Sequence, residues 1–203
     1  MKRFASVLTI ILVALVSFLA GVYFFFPRDT AAGYLWRKGV LAAAEKGVTL
    51  EAATLGVEGY FPFRILLRNT RVVAPVLSAE AGVVEIVPLF LDSLLSLAPT
   101  AELRLERVSL NLPLPGQQPV YLSFFSSKAA LRPSGTEVSS IRSSGDLVME
   151  GRLKMNSRTG MPEEADLSIG GDRAALIEYV KGMLPFSKDA SGAWTLKMRG
   201  GGN

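Results

Sequence analysis

The chain has 203 residues with no cysteine and no histidine, which excludes imidazole and thiol catalysis and zinc sites built from nitrogen and sulfur ligands. Its formal charge is +4, but Lys2 and Arg3 supply half of it; the remaining 20 basic residues (22 less these two) nearly balance 18 acidic ones. With no basic cluster of five or more, a nucleic-acid partner is not indicated.

The chain opens with Lys2 and Arg3, then 23 uncharged residues from Phe4 to Phe26, then Pro27-Arg28-Asp29. As a helix, that stretch measures about 34 Å, enough to cross a hydrocarbon core of roughly 30 Å. Phe4, Leu8, Leu12, Leu15, Leu19, Tyr23 and Phe26 are the anchoring side chains, with Tyr23 to Phe26 suited to the far interface. A cleaved signal peptide is the competing reading. Its apolar region usually spans about 7–15 residues, and cleavage after Ala20 would leave an apolar new N-terminus, so the sequence favours an uncleaved signal anchor. Lys2 and Arg3 orient the short N-terminus toward the cytoplasm, although Arg28, Arg37 and Lys38 weaken the asymmetry. The expectation is a single-pass protein of a bacterial inner membrane, its C-terminal domain in the periplasm. Absence of cysteine argues only against a disulfide-rich scaffold.

Asp29 to Lys46 reads as a connecting helix, capped by Asp29 or Thr30 and stopped by Gly47. Ala32, Leu35, Trp36, Gly39, Val40 and Ala43 form its apolar stripe. From Val48 the period falls to two. A strand begins at Thr49, and Gly56, Gly59 and Pro62 mark turns before a second strand over Phe63–Val73. Val76–Val87 is a third, with Leu77, Ala79, Ala81 and Val83 on one face and a bulge near Gly82. Leu89–Leu97 is a short helical segment closed by Pro99.

Ala101–Leu112 alternates most clearly, but its phase switches at Arg107-Val108, the mark of one extra residue in the strand. Val120–Phe125 is another strand. Ser126 to Gly145 is serine-rich and reads as a loop or weak strand, the best place for an internal boundary. Asp146–Asn156 and Ala165–Ile169 alternate again. A helix over Asp172–Leu184 follows, capped by Asp172, with Ala175, Leu176, Tyr179, Val180 and Met183 as its stripe. Ser191–Met198 closes the pattern as a strand.

The expected organisation is a transmembrane signal anchor over 1–27, a connecting helix over 28–47 and a β-rich domain over 48–203, with a sub-boundary near 126–145. The fold class is α+β, mostly β: a largely antiparallel curved sheet with one late helix.

Ser126-Ser127-Lys128 and Ser187-Lys188 place hydroxyl beside amine, but neighbours on a strand point to opposite faces. Glu163-Glu164 reads as a solvent-exposed hairpin turn, and Gly170-Gly171 lacks the spacing of a phosphate loop. No catalytic, cofactor or metal site is expected, and the chain does not read as an enzyme. Phe61, Phe63, Ile65, Leu67, Phe124 and Phe125 remain, either as core or as an apolar groove holding an acyl chain or a partner strand.

The order of features resembles the type II secretion system protein N family and, more distantly, the AsmA-like periplasmic proteins. The resemblance lies in FFFPRD at the end of the span, VTLEAATLGVEGYFPFRILLRNTRVV, PLFLDSLLSL, AELRLERVSLNL and DRAALIEYVKGMLP, in that order. It rests on order and texture, and this chain is shorter than many members. It implies an anchored accessory or structural component of a type II protein secretion system, contacting other inner-membrane components. The AsmA-like likeness implies instead lipid binding or transfer within the envelope.

Overall fold

The structure, a computed structural model, describes residues 13–15, 17, 18, 21, 25, 27–59, 63–75, 77–112, 118–156, 161–180, 184–190 and 192–199. Most of the expected span lies outside these residues, including Phe4, Leu8, Leu12, Leu19, Tyr23 and Phe26. Leu15 is helical and exposed. Among the described residues no helix is long and apolar enough to cross a membrane.

Helix α1, Arg28–Ala44, starts from Pro27 with no side-chain cap, so neither Asp29 nor Thr30 caps it. Proline fixes the entry to the helix, and Ala31 N–H reaches the Pro27 carbonyl instead. Gly47 turns the chain with a φ of 73°, as a left-handed stop requires. Ala32 is buried and Trp36 packs on the sheet's core, whereas Leu35, expected in the same stripe, is exposed.

Among the described residues ten strands follow: β1 Thr49–Glu58, β2 Arg64–Ala74, β3 Leu77–Pro88, β4 Thr100–Asn111, β5 Val120–Arg132, β6 Gly135–Gly145, β7 Val148–Asn156, β8 Pro162–Gly170, β9 Phe186–Lys188 and β10 Trp194–Met198. They form one sheet of order β1-β2-β3-β4-β5-β6-β7-β8-β10-β9, antiparallel throughout. Helix α2, Phe90–Ser96, joins β3 to β4. A 3-10 turn, Ala174–Leu176, and α3, Ile177–Val180, lie within the helix expected over Asp172–Leu184, of which residues 181–183 lie outside the described residues. There Leu176 and Ile177 are buried, while Tyr179, expected in the apolar stripe, is exposed.

Several boundaries move. Gly56 lies inside β1 rather than in a turn, and β9 has no counterpart in the sequence reading. Ser126 to Gly145 takes the strand alternative: it forms the rest of β5, a turn and all of β6. Ladder hydrogen bonds come from the main chain, so a serine-rich segment pairs as well as an apolar one when its neighbours present a partner. Glu163 and Glu164 are strand residues of β8 paired across to β7, where Lys154 meets both carboxylates; they are not in a turn.

Two clusters hold the sheet. One joins Leu67, Ala81, Val84, Val108, Val120, Leu122 and Leu176; the other joins Ile169, Ile177 and Trp194. Leu147 and Met149 touch both.

The apolar face of β1–β5 as candidate functional site

Following the pairs across the first five strands gives two rows of side chains. Leu55, Leu67, Val84, Leu105 and Phe125 form one; Ala52, Thr70, Ala81, Val108 and Leu122 form the other. Within every strand the two rows are three residues apart. In a regular strand, residues three apart face opposite sides. Here the apolar members of both rows belong to one cluster. The facing is preserved because each strand carries one extra residue between its rows, near Ala53, Asn69, Gly82, Arg107 and Ser123.

The extra residues line up across the sheet as a seam, with left-handed φ at Asn69 (48°) and Arg107 (55°). The phase switch at Arg107-Val108 is therefore real, but its cause is not a bulge in one strand. All five strands lengthen together, so pairing from β1 to β5 stays in register on both sides. For the same reason Val84, not Val83, continues the face of Ala79 and Ala81. The Arg107 side chain crosses Gly82: an added Cβ would lie 2.8 Å from Arg107 Nε, at the flexible end of a side chain that can swing aside.

The seam runs along an open depression of about 590 Å³ whose lining includes Asn69, Thr70, Gly82 and Arg107. Beneath it Thr70 Oγ1 is buried, with no hydrogen-bond partner among the described residues.

The proposed groove residues divide. Ile65, Leu67 and Phe125 share the apolar face, Leu67 sealed at 3% exposure and the others half-buried. Phe63 sets its ring 5.6 Å from that of Phe90, at the end of the sheet. Phe124 precedes Phe125 in the strand and so points to the opposite, charged face, where it cannot line the same groove. Phe61 lies outside the described residues. Trp36, Leu147, Met149 and Leu176 pack on the apolar face. Trp36 and Leu176 belong to the apolar stripes read from the sequence, but spacing does not say which strands they cover.

The opposite face is ionic. Arg64 and Arg104 reach Glu85 at 3.3 and 3.9 Å, Arg104 meets Glu102 at 2.8 Å, and Arg71 meets Glu80 at 3.5 Å. The Glu102 hydrogen bond, then that carboxylate's charge, holds the Arg104 guanidinium above its ordinary value.

The polar pairs noted in the sequence are absorbed locally. Ser127 is buried, while Lys128 Nζ pairs with Asp92 at 2.8 Å. Ser187 shares a hydrogen bond with Thr195, and Lys188 lies over the Trp194 ring and pairs with Glu178. Among the described residues no group of three or more acidic side chains is placed to hold a metal ion.

No curated protein matches the chain, and no solved structure does. A family model described as type II secretion system protein GspN-like, Synergistales, matches residues 5–198, which takes in the N-terminal apolar segment, α1 and the whole sheet. The chain therefore belongs to the type II secretion system protein GspN-like family.

Proposed function

We propose that the protein is an inner-membrane-anchored, periplasmic accessory component of a type II secretion system. It holds its sheet at the outer face of the membrane for other components of the machine to contact, and it acts without catalysis. The observation that carries this reading is the family match over 5–198, which treats the apolar segment and the sheet as one unit. The 23-residue uncharged run supports the anchor, and a chain without histidine or cysteine supports a structural role.

Deleting the gene in its host and measuring export of the system's substrate proteins tests the role. Secretion should fall, and in-cell crosslinking should join the protein to inner-membrane components. Normal secretion with no such crosslink would overturn the proposal.

A second reading, lipid binding or transfer, draws on the half-buried apolar face around Ile65 and Phe125. Phospholipid retained by the purified protein, seen by mass spectrometry, together with exchange of a fluorescent lipid, would support it. A lipid-free preparation without exchange would remove it.

A further inference from the structure

Helix α2 is amphipathic in the reverse of the usual sense. Its serines turn inward: Ser93 Oγ donates to the Leu89 carbonyl and accepts from Thr100 N–H at 2.8 Å, and Ser96 Oγ donates to the Asp92 carbonyl. Asp92 is tied to Lys128 of β5. Leu91, Leu94 and Leu95, at the spacing of one helix face, are 74%, 71% and 83% exposed. Leu97 is 90% exposed and holds a left-handed φ of 50°, a conformation that glycine or asparagine adopts with less strain. Phe90, 48% exposed, extends the patch toward Phe63. Single exposed leucines need no explanation, but a contiguous group on one short element marks a contact surface.

The position of α2 identifies what it contacts. Arg28 Nη1 donates to the Gly59 carbonyl at 2.8 Å, so the start of α1 sits at the end of the sheet where β1 finishes and β2 begins. β3 finishes at that same end and leads into α2, two strand spacings or about 10 Å from β1. Residues 4–26, uncharged throughout, join the chain one residue before Arg28. The start of α1, to which the apolar segment is joined in sequence, and the leucines of α2 thus lie at one end of the sheet, where Arg64 and Lys128 are paired with Glu85 and Asp92. Exposed apolar side chains at the end of the sheet to which a 23-residue uncharged segment is joined suit the interface of a bilayer.

We infer that α2 rests in the membrane interface and gives the domain a second membrane contact, which fixes the sheet's orientation relative to the bilayer. The inference rests on the reading of residues 4–26 as a membrane anchor.

Because the chain has no cysteine, single cysteines can carry an environment-sensitive fluorophore without interference. The full chain, with Leu94→Cys, Phe25→Cys or Tyr121→Cys labelled, is reconstituted into phosphatidylethanolamine–phosphatidylglycerol vesicles containing a lipid spin-labelled near its headgroup. Tyr121 is exposed at the opposite end of the sheet. The Leu94 label should shift to the blue and be quenched, as expected about 5–10 Å into the headgroup region, while the Tyr121 label stays water-exposed and unquenched. Quenching at Phe25 without quenching at Leu94 would overturn the inference and leave the anchor standing. Loss of quenching at Phe25 would overturn the anchor, and the inference with it. A Leu94 label shielded from water but untouched by the spin-labelled lipid would mean that a second copy covers α2, and would also overturn it.

Discussion

The two halves of the sheet handle extra residues differently. In β1–β5 every strand carries one at the same level, so the surplus cancels between neighbours and the apolar face runs unbroken through the seam. In β6 the surplus near Ser140, at a φ of 52°, has no counterpart in β5 or β7, and pairing shifts on both sides. A shared irregularity leaves register intact, whereas a solitary one interrupts it. The halves also differ in their cores: seven buried residues centred on β2–β5 in one, three around Trp194 in the other.

The largest effect expected from separating the halves comes from Trp194→Ala. Trp194 is 5% exposed and packs on Ile169 and Ile177, so its loss should cost about 3–5 kcal/mol. If the halves open separately, amide exchange will rise in β8–β10 while β2–β4 keep their protection. Uniform loss of protection would show that Leu147 and Met149, shared by both clusters, weld the sheet into one cooperative unit.

Deleting a single residue tests the comparison more directly. Removing Asn69 would leave β2 one residue short between β1 and β3, creating a mismatch on each side. A cost of about 2–4 kcal/mol is expected by denaturant unfolding. Removing Ser140 would do the reverse. Val138, Ile141 and Ser143 would keep their facing, and two mismatches would vanish, so stability should hold or rise. Equal costs for the two deletions would mean that the seam's alignment carries no advantage.

How much of this was legible in the sequence follows from the same distinction. Alternation is a property of one strand, so the phase switch in β4 could be read from Leu105, Arg107 and Val108 alone. That four other strands switch at the same level depends on pairing, which no single strand encodes. The serine-rich stretch gave only a weak strand signal because β6 is held by its neighbours rather than by apolar side chains of its own. Ser127 and Ser143 are even buried, the latter bonded to the Leu147 carbonyl and Met149 N–H. The late helix begins later than its apolar spacing suggests, because that spacing does not distinguish the 3-10 turn at Ala174–Leu176 from α-helix. The groove residues were half legible: alternation grouped Phe63, Ile65 and Leu67, but Phe124 and Phe125 cannot share a face. Nothing in LFLDSLLSL reveals that its serines, not its leucines, face the sheet.

A smaller effect is expected inside the seam. Thr70 contributes a methyl to the apolar row and an unbonded hydroxyl to a buried site. Thr70→Val keeps the shape and removes the unsatisfied group, so it should stabilise the protein by about 1 kcal/mol in denaturant unfolding. A destabilisation instead would show that the hydroxyl has a partner in solution, such as a water lodged in the depression along the seam.

The smallest effect belongs to the ionic face. If the apolar rows and the main-chain ladder hold β1–β5 together, then Arg104→Met should change stability by less than about 1 kcal/mol, because the side chain is 46% exposed and its partners Glu102 and Glu85 remain in reach of water. Whatever it contributes should fade at about 1 M salt, where screening acts over about 3 Å. The pH dependence has a definite sign. The folded state raises the guanidinium's proton affinity, so its contribution is complete below the ordinary arginine range and is lost only as pH rises through the still higher folded value. Between pH 5 and 9 the difference between wild type and Arg104→Met should therefore show no slope from this guanidinium. A loss of several kcal/mol would make the charged face a structural partner of the apolar one. The seam would then no longer suffice to explain why the first half of the sheet keeps its register.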